Sequence, residues 1–236
     1  MSIDIHSHVI WGVDDGAETQ EQTFHMLHAA VEDGIQKIIC TPHMTPGVYE
    51  FPEERFLRHL DIAREYIERE KLPLCLTRGA ELLYTELTPR LLREGKVPTM
   101  EGTRCPLIEF SPSDSWDHIR EALHKVSRAG FTPIIAHIER YSAIHTIEQV
   151  KTLKSSCCAY VQVNARTMTR KQPLLRRKYF DRLFREMLVD FIATDTHALP
   201  GRETCMQDGI SALRNKYGEK CAEHICQQTE VLFGSR

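Results

Sequence analysis

Two short motifs frame the chemistry open to this chain. His6-Ser7-His8 and Asp195-Thr196-His197 each set two metal-ligating side chains at positions i and i+2, which on an extended strand point to one face. Apolar Ile3 and Ile5 lead into the first pair and Phe191-Ile192-Ala193 into the second, as in a buried strand whose far end opens into a site. Imidazoles and carboxylates presented together suit transition metals. Single candidates close other apolar runs: His43, Glu81, Glu109 and His137. Asp15 joins them from the loop Val13-Asp14-Asp15-Gly16, where Asp14 reads as a turn former or a hydrogen-bonding support. Brought together, Asp15, Glu81, Glu109 and Asp195 would repel one another unless cations neutralised them. The mixed nitrogen and oxygen set suits manganese, iron or zinc better than calcium, in a cluster of two or three ions.

The elements that must position these residues follow from hydrophobic periodicity. Short apolar runs end at His6/His8, span 37–43, 74–81, 105–110, 133–140, 159–164 and 191–197, and read as seven strands. Between them lie helical patterns over 18–33, 52–69, 89–94 and 116–129, with longer helical stretches later. Strands alternating with helices imply right-handed βαβ units and a mostly parallel sheet. Seven units in so short a chain fit a small or distorted TIM-like (β/α)7 barrel better than an open sheet, and barrels carry their sites at the C-terminal ends of the strands. The loop 44–51 is then a rim, and Tyr49, Phe51 and Tyr141 become candidates to touch a substrate ring. Glu139, expected to share a strand face with His137, reads as a support or a partner of Arg140.

The 236 residues suit one domain, 1–236, and a net charge of -3 with 27% charged residues gives no basic field for nucleic acid. The longest apolar runs are strand-sized and no secretory leader is evident, so neither membrane insertion nor export is expected and the reading is cytoplasmic. Eight cysteines show no metal-binding spacing, and none is followed six residues later by an arginine. They read as reduced thiols, and phosphoryl transfer through a cysteine loop is not expected. A run of Arg166, Arg170, Lys171, Arg176, Arg177 and Lys178 is either a solvated face or a contact for an acidic partner.

The ordered motifs D-I-H-S-H, V-D-D-G, T-P-H, G-A-E, I-E-F, A-H-I-E-R-Y and T-D-T-H followed by G-R resemble the polymerase and histidinol phosphatase (PHP) superfamily. Within it they are most similar to manganese-dependent protein tyrosine phosphatases encoded with capsule and exopolysaccharide genes. The match runs from Ile3 to about Arg202. The resemblance implies a distorted seven-stranded barrel and a trinuclear centre with His6, His8, Asp15, His43, Glu81, Glu109, His137, Asp195 and His197 as ligands. It also implies phosphate-binding roles for Arg140 and Arg202. The implied cofactor is Mn2+, with iron, zinc or magnesium as substitutes. The implied substrate is a phosphotyrosine protein, a bacterial tyrosine autokinase, hydrolysed by a metal-bridging hydroxide without a phosphoenzyme. Rival readings are a small-molecule phosphatase of the histidinol-phosphate type, a PHP phosphodiesterase or nuclease, and a non-catalytic metal-stabilised interaction domain. The V-D-D-G and H-I-E-R-Y stretches weigh against the first rival and the intact ligand set against the last. The oligomeric state is left open.

Overall fold

A computed structural model describes residues 2–198 and 200–234, so the ends of the expected 1–236 domain lie outside the described residues. The apolar runs form β1 (Ile3–Ser7), β2 (Lys37–Cys40), β3 (His43–Met44), β4 (Cys75–Arg78), β5 (Glu81–Leu83), β6 (Leu107–Glu109), β7 (Ile134–Ile135), β8 (Tyr160–Asn164) and β9 (Phe191–Ala193). Between and after them stand α1 (Gln20–Glu32), α2 (Glu53–Glu70), α3 (Thr88–Arg93), α4 (Trp116–Arg128), α5 (Ile147–Ser156), α6 (Ala165–Thr169), α7 (Leu174–Arg185), α8 (Met206–Tyr217) and α9 (Glu219–Phe233). Thr19 and Thr146 start α1 and α5 with capping boxes closed by Gln22 and Gln149.

Every strand pairing is parallel. β1, β2 and β4 are neighbours in that order, and β3, β5, β6, β7, β8 and β9 follow in theirs. β2 continues into β3 and β4 into β5, so the nine short strands make seven staves. The ring closes where the segment after β9 meets β1: Asp195 N donates to His6 O at 2.8 Å, and His8 N to Thr196 O at 3.0 Å. The expected parallel α/β barrel is the fold.

Two staves are broken where the sequence suggested continuous strands. Pro42 has no N–H to give a ladder, and pairing passes the gap through Gly79 N to Cys40 O and Glu81 N to Pro42 O. At Gly79 a Cβ would stand 2.8 Å from Ile39 Cγ2 and 2.9 Å from Met100 Sδ, so a bare backbone is needed for the staves to approach. In consequence His43 and Glu81 open strands instead of closing them.

Alternating residues divide the core into two layers. Ile3, Ile5, Ile39, Leu107, Ile134 and Phe191 cluster inside the ring, whereas Ile38, Ile108, Ile135, Val161 and Ile192 face the helices. Burial on both faces explains why the strands read as continuous apolar runs. α9 closes the floor: Phe233 joins the inner cluster, and its carbonyl accepts from buried Lys37 Nζ at 2.8 Å.

Candidate active site

His6 and His8 owe their direction to a bulge. β1 pairs with β2 at Asp4↔Ile38 and next at Ser7↔Cys40, so β1 advances three residues while β2 advances two. The extra residue re-aims the strand, letting Ile5 fill the ring and His6 still turn into it. Asp4 holds the bulge: its buried carboxylate accepts from His6 N at 3.3 Å, from Thr194 N at 2.9 Å and from Thr194 Oγ1. Burial, partly offset by these bonds, pushes its carboxyl up to about 6.

His137 and Asp195 depart from the strand geometry expected of them. β7 ends at Ile135 and β9 at Ala193, and His137 and Asp195 adopt φ of 26° and 51°. Non-glycine residues in this region cost about 1–3 kcal/mol each and persist only where surrounding bonds over-determine them. His137 N is tied to Gln162 Oε1 at 2.7 Å, and Asp195 N to β1. A 3-10 turn, Ile138–Arg140, then replaces the rest of the fifth strand. Glu139 consequently does not share a face with His137; its Oε1 accepts from Asn164 N at 2.9 Å and Thr167 Oγ1 at 3.1 Å. Tyr141 is buried, with its hydroxyl on Phe110 N at 3.2 Å and 3.3 Å from His137 Nδ1. It therefore supports the site and cannot meet a substrate ring, whereas Tyr49 on the rim is 77% exposed.

All nine candidate ligands meet at the C-terminal ends of the staves. Three sets present converging ligand atoms: His6, His8 and Glu81; His8, Asp15, His43 and His197; and His43, Glu81 and Glu109. Glu81 is their hub. Its Oε2 lies 3.1 Å from His6 Nε2, 3.3 Å from His8 Nε2 and 3.1 Å from His43 Nδ1, while Oε1 lies 2.7 Å from His137 Nε2. Glu109 Oε1 is 3.4 Å from His137 Nε2, and Asp195 Oδ1 is 3.7 Å from both His6 and His8. Asp15 Oδ1 reaches His43 Nε2 and His197 Nε2, each at 3.3 Å. Arg202 donates to Asp195 Oδ1 at 2.9 Å and Arg140 to Oδ2, so both arginines border the cluster.

These atoms fit cations better than one another. Among the described residues Glu81 Oε2 and His197 Nε2 are buried without a hydrogen-bond partner, and the Nε2 atoms of His6 and His8 face each other at 3.2 Å. The opposite ring nitrogens are held by acceptors: His6 Nδ1 by Gln162 Oε1 at 3.3 Å, His8 Nδ1 by Asp14 Oδ2 at 2.7 Å and His197 Nδ1 by Asp195 O at 3.1 Å. An acceptor there keeps the proton on Nδ1 and leaves the Nε2 lone pair free for a metal.

The charges agree. Burial alone would depress His8, but the carboxylates of Asp14 and Glu81 beside it push it up to about 10. Against the same effect of burial, Glu109 and Glu81 raise His137 to about 9. Burial would raise Asp195, yet His6 and Arg140 hold it down to about 2. Burial, reinforced by the charges of His8 and Arg202, lowers His197 to about 4. The core thiols of Cys40 and Cys105 are pushed up by burial, so neither supplies a thiolate.

Sequence reasoning missed three supporting residues: Asp4, Gln162 and Asn164. Gln162 Nε2 donates to Asn164 Oδ1 at 2.8 Å, and Asn164 Nδ2 to Asp195 Oδ2 at 2.8 Å. With His6 on Gln162, this buried chain links ligands from both ends of the ring. Among the described residues β8 is the stave without a candidate ligand, and these amides on its inner face are the signal that could have revealed it.

Fold and site together define a parallel β/α barrel with a multi-ion candidate centre at the C-terminal ends of its strands. The chain belongs to the capsular polysaccharide synthesis family CpsB/CapC, whose model matches residues 2–231. It is 34% identical over 233 residues to the tyrosine-protein phosphatase CpsB of Streptococcus agalactiae serotype V, covering 94% of each chain. Among solved structures, one from the work on YwqE from Bacillus subtilis and CpsB from Streptococcus pneumoniae, described as unique metal-dependent tyrosine phosphatases, superposes with a TM-score of 0.84. That match has 26% identity and covers 98% of this chain and 94% of the other. The fold alone extends to a histidinol phosphate phosphatase from Lactococcus lactis, at a TM-score of 0.59 and 12% identity over 92% of this chain and 94% of that one.

Proposed function

We propose that this chain is a metal-dependent tyrosine-protein phosphatase, hydrolysing phosphotyrosine on protein in capsular or exopolysaccharide synthesis. Its family and its relatives' names support the activity, and the observation that carries it is the unpartnered Glu81 oxygen facing three imidazoles beside two arginines. The proposed ligands are His6, His8, Asp15, His43, Glu81, Glu109, His137, Asp195 and His197. Manganese is the proposed ion, in two or three sites. Bound there, the ions supply Lewis acidity and an activated water.

The chain's own residues do the rest. Arg140 and Arg202 present forked donors to the phosphate oxygens and offset the charge that gathers on them. Asp14 and Gln162 hold His8 and His6 in the orientation the centre needs. The tyrosine phenol, with a pKa of about 10, leaves with less acid assistance than an alkyl alcohol requires. The proposed partner is a bacterial tyrosine autokinase and the proposed compartment the cytoplasm; no helix among the described residues is long and apolar enough to cross a membrane.

The test is phosphate release by chelated protein from a phosphotyrosine peptide, a phosphoserine peptide, histidinol phosphate and a short DNA, with manganese, magnesium or zinc restored separately. Manganese-restored turnover of phosphotyrosine, lost in His6→Ala and Asp195→Ala, is the expected result. Preference for histidinol phosphate or DNA would overturn the substrate. No turnover with any metal would overturn the enzyme and leave a metal-stabilised interaction domain.

A further inference from the structure

The basic run from Arg166 to Lys178 has two readings by sequence, a solvated face or an anion contact, and its placement separates them. Arg166, Arg170, Lys171 and Arg176 line one cavity of about 480 Å3, and Arg140 and Arg202 stand in the same cavity's wall. The basic pocket is thus continuous with the candidate centre, and Lys178 is not among its lining residues.

The carboxylates of this cavity are engaged except at one oxygen, Glu139 Oε2, which is buried without a hydrogen-bond partner among the described residues. Asp195 is held by Arg140, Arg202 and Asn164, and Glu139 Oε1 by Asn164 N and Thr167. Arg166 donates to the Glu203 carbonyl and pairs with the Glu203 carboxylate at 3.9 Å, whereas Arg176 donates to the Glu139 carbonyl, which fixes its direction without cancelling its charge. Arg170 and Lys171 are exposed, and no ion pair forms on either among the described residues. With a phosphate gripped by Arg140 and Arg202, three cations, Arg170, Lys171 and Arg176, still face a concave surface, where like charges favour the entry of a further anion.

We propose that this cavity is a second anion subsite, taking a negatively charged group that the substrate carries beside its phosphotyrosine, with Arg170 and Lys171 as its principal contacts. The proposal rests on the phosphotyrosine-protein reading above. An extended peptide advances about 3.3 Å per residue, so a side chain one to three positions from the phosphotyrosine reaches the adjoining cavity. Arginine forks accept carboxylate and phosphate alike, so the group is an aspartate or glutamate side chain or a second phosphotyrosine. The basic wall is drawn from α6, the connection that follows it and the first turn of α7, and its principal contacts, Arg170 and Lys171, are not candidate ligands, so it acts on peptide binding, hence on KM more than on kcat.

The experiment compares three phosphotyrosine peptides of equal length on the manganese-loaded full chain: neutral flanks, glutamate flanks, and a second phosphotyrosine. Non-hydrolysable phosphonate versions are measured in parallel by fluorescence anisotropy. The expected result is an advantage of about tenfold in kcat/KM and in affinity for a charged flank, the worth of one charge-assisted hydrogen bond, shrinking as salt is raised. The advantage collapses in Arg170→Gln/Lys171→Gln and survives in Lys178→Gln, which removes the same charge from the same run outside the cavity. Preference for the glutamate or the doubly phosphorylated peptide identifies the anion. Equal values for all three peptides, or an advantage that survives the double variant, overturn the subsite while leaving the phosphotyrosine reading standing. Failure to hydrolyse any peptide overturns that reading instead, and the anisotropy ranking still decides the subsite.

Discussion

At His8 one proton decides which nitrogen faces the centre. Asp14 Oδ2, 2.7 Å from Nδ1, fixes it there, and the same carboxylate accepts from His43 N at 3.2 Å and Gly16 N at 3.0 Å. One side chain thus orients a ligand, anchors the backbone of another and shapes the loop that carries Asp15. Asp14→Ala is expected to weaken metal binding about 10–100-fold, the usual cost of losing a ligand's orienting partner. Competition against a chromogenic chelator measures it, and an affinity equal to that of the parent protein would contradict the role. The nine clustered side chains were legible as candidate ligands because histidines and carboxylates closing apolar runs are conspicuous. Gln162 and Asn164 were not, because a polar residue inside a strand announces nothing until its partner is known, and Gln162 meets His6 across 156 residues of chain.

The staves were legible as elements and their irregularities were not. Apolar runs and helical periodicity located the seven staves, since burial on both faces demands hydrophobic side chains whatever the fine geometry. The β1 bulge depends on which β2 residue each β1 residue meets, which no single run encodes. The stave breaks did leave a signal: Pro42 and Gly79 are poor residues for a strand interior. Both breaks matter, because His43 and Glu81 take their places only once the chain has stepped past them. Gly79→Ala drives a methyl toward Ile39 and Met100, both buried. Overpacking of this kind costs about 1–3 kcal/mol, and the expected outcome is a lower midpoint in urea unfolding with an unchanged slope. A midpoint equal to that of the parent protein would show that the staves can part without cost.

Across the whole molecule, the charge of the centre couples metal, pH and stability. In the metal-free protein protons supply the balancing charge: neighbouring carboxylates overcome burial and raise His8 to about 10 and His137 to about 9. Folded pKa values above the ordinary value near 6.5 mean that this contribution is complete below about pH 6.5 and is lost as pH rises through about 9 to 10. A metal must displace those protons, so its stabilising effect grows across the same window. The gain in Tm on adding manganese should be larger at about pH 8.5 than at about pH 6, with the metal-free Tm falling between them. A gain independent of pH would contradict this coupling.

The closure of the ring between β1 and Thr196 also sets an order of events. Asp195 and His197 come near the end of the barrel's sequence, and β1 finds its second neighbour only when they arrive. Pairing between segments so far apart is slow to form. A nascent chain therefore cannot close the ring on the ribosome until Thr196 has emerged, and until then β1 keeps one edge unpaired.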